Sequence, residues 1–125
     1  CVESWLLYHL HIGCERLYLF FDDPGDEALQ AAQRVAAAVQ RPKAVLIYEM
    51  SDSWWSNAKE RSRYYRHRHE PWAKDVIKEH EMWHDVQARQ QICCDLALQD
   101  ARLEELDWLL HIDIDELLFF PEPCF

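Results

Sequence analysis

The 125-residue sequence contains only two glycines, and none of its apolar runs reaches the ~18 residues that a membrane-spanning helix needs. The scarcity of glycine excludes the glycine-rich loops that wrap nucleotide phosphates. The sequence also lacks the G-x-S-x-G and Cys/His patterns of nucleophilic enzymes. It shows no signal peptide, and because it begins inside an apparent helix and stops just after an apparent active-site motif we expect a fragment, outside which an anchor could lie.

Positive charge is scarce as well, since the net charge is -10. General nucleic-acid binding needs a basic surface, so this charge argues against it. Basic residues concentrate between Lys59 and Lys78, and acidic residues between Asp95 and Glu122. This division suits a metal site beside a phosphate-bearing ligand, and it equally suits two solvated faces. The five cysteines are odd in number and none has C-x-x-C spacing, so they do not define a redox compartment.

Half of the residues are hydrophobic, enough for one domain with a single core. Hydrophobic periodicity predicts helices at residues 2–12, 27–40 and about 85–106, and strands at residues 17–21, 44–48 and 108–112. Residues 51–85 are predicted to leave the core as a long, partly helical excursion. The alternation of helices and strands predicts an α/β fold with a parallel sheet covered by helices on both faces.

Two acidic clusters follow predicted strands: Asp22 and Asp23 after the first, and Asp113, Asp115 and Glu116 after the last. Ligands of parallel α/β sheets bind at the carboxyl ends of the strands, so we expect both clusters along one edge. Residues two apart on a strand point to the same side, and carboxylate oxygens are the ligands that Mg²⁺ and Mn²⁺ prefer. The spacing therefore favours a divalent-cation site at Asp113 and Asp115, with a solvated acidic turn as the alternative.

Two segments at opposite ends of the chain resemble a known enzyme family. The run W-L-L-H-I-D-I-D-E-L-L-F at residues 108–119 resembles the W-x-x-x-x-D-x-D-E-F-L motif of glycosyltransferases with the A-type fold, closest to the family 92 and family 2-like groups. Residues 3–13 resemble the E-x-W-L-x-Y-H-x-x-x-G helix of those groups, which a strand and an aspartate follow. The chain departs from the family by lacking its first strand and, apart from Glu3, its R-N-E segment. The resemblance implies a Rossmann-like nucleotide-sugar-binding fold, truncated at both ends, with residues 1–125 as a single partial domain.

The resemblance implies metal-dependent transfer of a sugar from a nucleotide-diphosphate donor, with a UDP-sugar favoured. Asp115 would ligate Mn²⁺ or Mg²⁺ and through it the diphosphate, and Asp113 would contact the metal or the ribose. Asp22 would lie near the nucleoside, Arg89 near the phosphates, and Glu116 would act in catalysis by orienting the sugar or the acceptor. The acceptor is left open as a glycan, a protein or a lipid. Members of the family often reside on the lumenal side of the Golgi membrane, which is the location expected by resemblance.

Three other interpretations remain. A haloacid-dehalogenase-like phosphatase would use Asp113 as nucleophile, but its motif has Thr or Val where this chain has Leu117. A truncated fragment that binds without catalysis is the second. The third is a zinc protease, because His80, Glu81 and His84 match the H-E-x-x-H motif. For that motif a charged surface helix is the favoured interpretation.

Overall fold

The computed structural model describes residues 1–121 as two compact units. Unit 1 comprises residues 1–49 and 112–121 of the described chain, and unit 2 comprises residues 50–111. Unit 1 contains α1 (Val2–His11), β1 (Leu17–Phe21), α2 (Glu27–Ala38) and β2 (Val45–Glu49); unit 2 contains α3 (Asp52–Arg61), α4 (Arg63–Arg66), α5 (Pro71–Trp83) and α6 (Val86–Leu103). No helix in the described range is long and apolar enough to cross a membrane. Glu122 and Cys124, which entered the charge and cysteine counts, lie outside the described residues.

Unit 1 is built on a parallel pair of strands with a helix between them. β1 and β2 pair in register, with Leu17 opposite Val45 and Phe21 opposite Glu49. Parallel neighbours need a crossover connection, and α2 lies in it. The side chain of Asp26 starts α2 by accepting a hydrogen bond from the backbone N–H of the second residue after it, at 2.8 Å. The carboxyl end of β1 therefore leads directly into a capped helix, as in other α/β units.

The core of unit 1 joins the two helices to the strands. Its buried side chains come from α1, β1 and α2: Val2, Leu6, Leu17, Leu19, Ala32 and Val35. α1 ends where Gly13 takes a φ of 103°, a left-handed conformation that glycine adopts without the clash of a Cβ atom. This packing fixes α1, and with it the polar side chains on that helix.

The structure confirms the predicted elements of unit 1 within two residues, but the predicted strand at residues 108–112 is wrong. These residues form no strand, and Trp108 is 92% exposed. A strand needs a neighbour to satisfy its backbone N–H and C=O groups. Within residues 1–121 the sheet has two strands, and neither pairs with this segment. Asp113 and Asp115 therefore do not follow a strand, and the prediction that a strand holds both on one side is wrong.

The regular elements of unit 2 in the described chain are all helices, and the unit has a small core of its own. Its buried apolar residues are Ala58, Val76, Ala88, Ile92 and Leu96. The stretch predicted as a partly helical excursion contains three helices, the first capped by Ser51, whose Oγ accepts a hydrogen bond from the N–H of Trp54 at 3.2 Å. Asp85 caps α6 in the same way, with an Oδ1 to Ala88 N distance of 2.9 Å. The helix predicted at about residues 85–106 is confirmed at residues 86–103.

Candidate functional site

Residues 113–116, called the acidic turn below, form a turn in unit 1 that two hydrogen bonds close. The N–H of Glu116 donates to the carbonyl of Asp113 at 3.0 Å, and the N–H of Asp113 donates to Oε2 of Glu116 at 2.9 Å. Glu116 thus closes the turn with its side chain, while Asp113 and Asp115 are exposed. Within the described chain neither of those two carboxylates takes part in a hydrogen bond or ion pair, so both are available to a ligand.

Three side chains of α1, called the anchor residues below, bind the backbone of Glu116, the last residue of the acidic turn, and of Leu118, two residues later. The indole N–H of Trp5 donates to the carbonyl of Glu116 at 2.8 Å. The hydroxyl of Tyr8 donates to the carbonyl of Leu118 at 2.8 Å, and the N–H of Leu118 donates to Nε2 of His9 at 3.3 Å. All three contacts reach across more than 100 residues of sequence. The last residue of the acidic turn is therefore tied to a helix that the core of unit 1 fixes in place.

His9 is the most buried of the anchor residues, with 2% of its surface exposed. Its Nδ1 lies 2.8 Å from the carbonyl of Trp5, and its ring lies 4.2 Å from that of Trp5 and 5.1 Å from that of Tyr8. Because Nε2 accepts a hydrogen bond from the N–H of Leu118, we assign the ring proton to Nδ1, which donates to the carbonyl of Trp5. One neutral tautomer therefore satisfies both contacts at once.

The anchor residues were part of the family resemblance, but no contact was predicted for them. The sequence signal for these contacts is weak. Trp5, an aromatic residue with a polar N–H, stands three positions before Tyr8 and four positions before His9. That spacing places all three on one helix face. It does not name the distant segment that the face contacts.

The exposed carboxylates suit one kind of cation site and not another. Among residues 1–121, no group of three or more His, Cys, Asp or Glu side chains is arranged to hold a metal ion. A cage made entirely of protein ligands is therefore absent from the described chain. Mg²⁺ is commonly held by one or two carboxylates together with substrate phosphates and water. Asp113 and Asp115, as two exposed carboxylates, could contribute to a site of that second kind.

The other predicted ligand residues are Asp22 in unit 1 and Arg89 in unit 2. Asp22 directly follows β1, but the shared strand edge predicted for it and Asp113 does not form, because Asp113 follows no strand. The same observation counts against a phosphatase, whose nucleophilic aspartate ends a buried strand. Arg89 belongs to unit 2, where its guanidinium lies 3.3 Å from Nδ1 of His84 and 5.6 Å from the ring of Trp55.

The H-E-x-x-H match does not form a zinc site. α5 ends at Trp83, and His84 follows it with a φ of 49° in the left-handed region. The two histidines therefore do not share one continuous helix face. His80 is buried, with its ring 4.4 Å from that of Trp55 and 6.4 Å from that of Tyr65. This histidine is part of an aromatic cluster, and the zinc-protease interpretation is not supported.

The burial of His80 makes a testable contribution to pH-dependent stability. Burial, followed by the positive charges of Arg89 and Lys59, lowers the pKa of His80 below its ordinary range. As the pH falls through about 6.5, the unfolded chain takes up a proton that the folded chain resists, so the free energy of unfolding decreases. We expect urea denaturation midpoints to fall between about pH 7.5 and about pH 5.

The matched comparison for this pH dependence is His80→Phe, which keeps an aromatic ring but cannot take up a proton. We expect this variant to lose part of the acid sensitivity. The variant His69→Phe, at an exposed histidine, should keep all of it. An equal pH dependence in the wild type and His80→Phe would show that His80 does not control it.

Comparisons with known proteins give one relative. The chain is 29% identical over 114 residues to a protein of Arabidopsis thaliana described as glycosyltransferase-like. The match covers 91% of this chain but 23% of that protein, so the chain spans less than a quarter of the relative's length. No protein-family model matches the chain, and no solved structure matches it. The relative agrees with a glycosyltransferase resemblance in its broadest form, while family 92 and the A-type fold stay predictions.

Proposed function

We propose that this chain is the donor-binding part of a metal-dependent glycosyltransferase. One observation carries the proposal: the two segments that resemble glycosyltransferases, at residues 3–13 and 108–119, are joined by the three hydrogen bonds that the anchor residues make with Glu116 and Leu118. The segments are far apart in sequence, and random motif matches have no reason to meet. The relative described as glycosyltransferase-like supports the same class of enzyme.

In this proposal, Asp113 and Asp115 hold Mn²⁺ or Mg²⁺ together with the diphosphate of a nucleotide sugar, with a UDP-sugar as the favoured donor. The bound cation would offset the negative charge of the departing nucleoside diphosphate. The role of the chain itself is to present two carboxylates on a short, closed turn. The anchor residues limit the motion of that turn, so less conformational entropy is lost when the ligand binds.

Glu116 has a defined part in this arrangement. Its carboxylate accepts the backbone N–H of Asp113, and its own carbonyl accepts the indole N–H of Trp5. It therefore connects the acidic turn to α1 in this structure. Its action on the sugar or the acceptor, the approach of Arg89 to the phosphates and the place of Asp22 near the nucleoside stay part of the proposal. So do transfer to a glycan, protein or lipid acceptor and a Golgi location.

The proposal is tested by calorimetric binding of UDP to this chain, with and without Mn²⁺. We expect binding that requires Mn²⁺ and that weakens by at least about tenfold in Asp115→Ala. Asp113→Ala is expected to weaken binding as well. The matched control is Asp75→Ala, which removes one exposed carboxylate from α5 in unit 2 and should leave the UDP affinity unchanged.

Circular dichroism of each variant establishes that it is folded before binding is compared. Binding of UDP that does not need Mn²⁺ would contradict a metal-bridged diphosphate. An affinity that survives in Asp115→Ala would move the site away from the acidic turn. No binding by the folded wild-type chain would reject a donor site within these residues.

A further inference from the structure

A surface groove in unit 2, called the amide groove below, has no part in the proposed donor site. Its volume is ≈ 380 Å³, within the range of about 300–1,000 Å³ typical of small-ligand sites. Arg63 and Tyr64 of α4 line it, together with Gln87, Gln90 and Gln91 of α6. The three glutamines stand at positions i, i+3 and i+4 of one helix and therefore share a face.

The floor of the amide groove is pre-formed around Asp95, which is 7% exposed. Oδ2 of Asp95 accepts the backbone N–H of Arg63 at 2.8 Å and a side-chain N–H of Gln99 at 3.1 Å. Its Oδ1 lies 3.4 Å from Nε of Arg63 in a salt bridge. The only carboxylate and the only arginine that line the groove are thus paired with each other, and the pair connects α4 to α6.

The charges of the amide groove restrict the kind of ligand it can take. A nucleotide or another strong anion needs unpaired cations, but the guanidinium of Arg63 is committed to Asp95. A metal ion needs several free carboxylate, imidazole or thiolate ligands, but both oxygens of Asp95 already have partners. The lining is neutral overall in a chain of net charge -10. These observations favour an uncharged ligand.

The amide side chains specify hydrogen-bonding groups on that ligand. Within the described residues the amides of Gln87 and Gln90 take part in no hydrogen bond. Gln91 contacts the Tyr64 hydroxyl through Oε1 at 3.5 Å, which leaves its NH₂ group available. Each amide offers donors beside an acceptor, and a hydroxyl group can both donate and accept. A row of such amides matches a ligand that carries several neighbouring hydroxyls.

Tyr64 contributes an aromatic ring to the lining of the amide groove, and Trp72 packs on that ring without lining the groove itself. The ring of Tyr64 meets that of Trp72 edge to face at 5.6 Å, and Arg63 lies 5.7 Å from the first ring and 5.4 Å from the second. The cation is therefore held against both rings and orients them. The ring of Tyr64 therefore places an aromatic surface next to the polar amides, which suits a ligand with one apolar and one hydroxyl-bearing face.

We propose that the amide groove binds a neutral saccharide, the class of molecule that combines closely spaced hydroxyls with an apolar C–H face and no charge. Saccharide binding in unit 2 stands on the groove alone. The further assignment of this saccharide as the acceptor rests on the proposed transferase function. His111 also lines the groove and stands two positions before Asp113 in the sequence, which connects the groove to the acidic turn through one short stretch of chain.

The test is a two-dimensional ¹H–¹⁵N NMR titration of the full chain with lactose, cellobiose and maltose, without added metal or nucleotide. We expect at least one of these disaccharides to give saturable shifts of the glutamine side-chain NH₂ signals and of the α6 amides, with a dissociation constant in the millimolar range of about 1–10 mM. The double variant Gln87→Ala with Gln90→Ala should lose the shifts. The matched control, Gln30→Ala with Gln33→Ala, removes two glutamines of the same spacing from α2 in unit 1 and should keep them.

Three results would overturn the proposal. One is the absence of a saturable shift for all three disaccharides up to about 100 mM, tenfold above the weakest expected dissociation constant, in the folded chain. The second is shifts that persist in Gln87→Ala with Gln90→Ala, since the saccharide would then bind elsewhere. The third is displacement of the saccharide by UDP at α6, since the groove would then be a nucleotide site. Failure of Mn²⁺-dependent UDP binding would reject the donor site in unit 1 and leave saccharide binding in unit 2 intact.

Discussion

Phenylalanine in place of His9 is expected to lower the free energy of unfolding by about 1–3 kcal/mol. The substitution keeps the aromatic packing against Trp5 and Tyr8 but removes both ring nitrogens. The N–H of Leu118 then loses its acceptor. An unpaired, partly buried N–H group destabilises the folded state because water can solvate it only in part. Urea denaturation followed by circular dichroism measures this loss.

The same variant tests whether the anchor residues act on the proposed donor site. The hydrogen bonds of His9 go to Leu118 and to the backbone of Trp5, so its effect on a ligand passes through these two residues and not through a carboxylate of the acidic turn. We expect weaker Mn²⁺-dependent UDP binding in His9→Phe, with a larger entropic cost in calorimetry because the turn is less restrained before binding. An unchanged enthalpy and entropy of UDP binding would show that the anchor residues stabilise unit 1 without positioning the turn.

His11→Phe is the matched control, because His11 lies on the same helix and is exposed. The control should change the unfolding free energy by less than about 0.5 kcal/mol. A loss in His11→Phe as large as that in His9→Phe would assign the effect to α1 as a whole. Tyr8→Phe provides an independent check, since it removes only the hydroxyl that donates to Leu118.

Alanine in place of Ile92 is expected to have the largest effect on stability, about 2–5 kcal/mol. Ile92 is fully buried on α6, at the centre of the core of unit 2. The substitution removes apolar area and leaves a cavity that the surrounding helices fill only in part. The decrease should appear in urea denaturation and as faster hydrogen exchange of the α6 amides.

Leu103→Ala is the control on the same helix, since Leu103 is 83% exposed. It removes a side chain of equal size from the surface and should cost less than about 0.5 kcal/mol. Similar small losses in Ile92→Ala and Leu103→Ala would mean that α6 does not pack as described. Such a result would also remove the rigid floor on which the amide groove depends.

The regular elements with clear hydrophobic periods could be predicted from sequence. β1 was located as an apolar run before a turn, and α2 as an apolar stripe that begins after Asp26 and stops before Pro42. These elements depend on neighbours in sequence, such as caps, breakers and the spacing of apolar residues. The helices between Asp52 and Trp83 were harder to predict, because charged residues and tryptophans obscure the apolar period there.

The predicted strand at residues 108–112 shows where local pattern is insufficient. Its apolar residues have a strand-like run, but a strand exists only with a partner on its edge. Trp108 and Leu110 are exposed, and no strand of the described chain pairs with them. The sequence indicated that this segment prefers an extended conformation. Whether it forms a strand depended on the tertiary structure, which gives it no partner strand in the described chain.

The sequence by itself determined which residues are predicted to carry the chemistry: Asp113 and Asp115, in a segment that resembles a known motif. Only the tertiary structure decided what holds them. The side chains of Trp5, Tyr8 and His9 meet the backbone beside Glu116 and Leu118 across more than 100 residues. Backbone N–H and C=O groups are the same at every position, so no local pattern tells a side chain which of them it will bind.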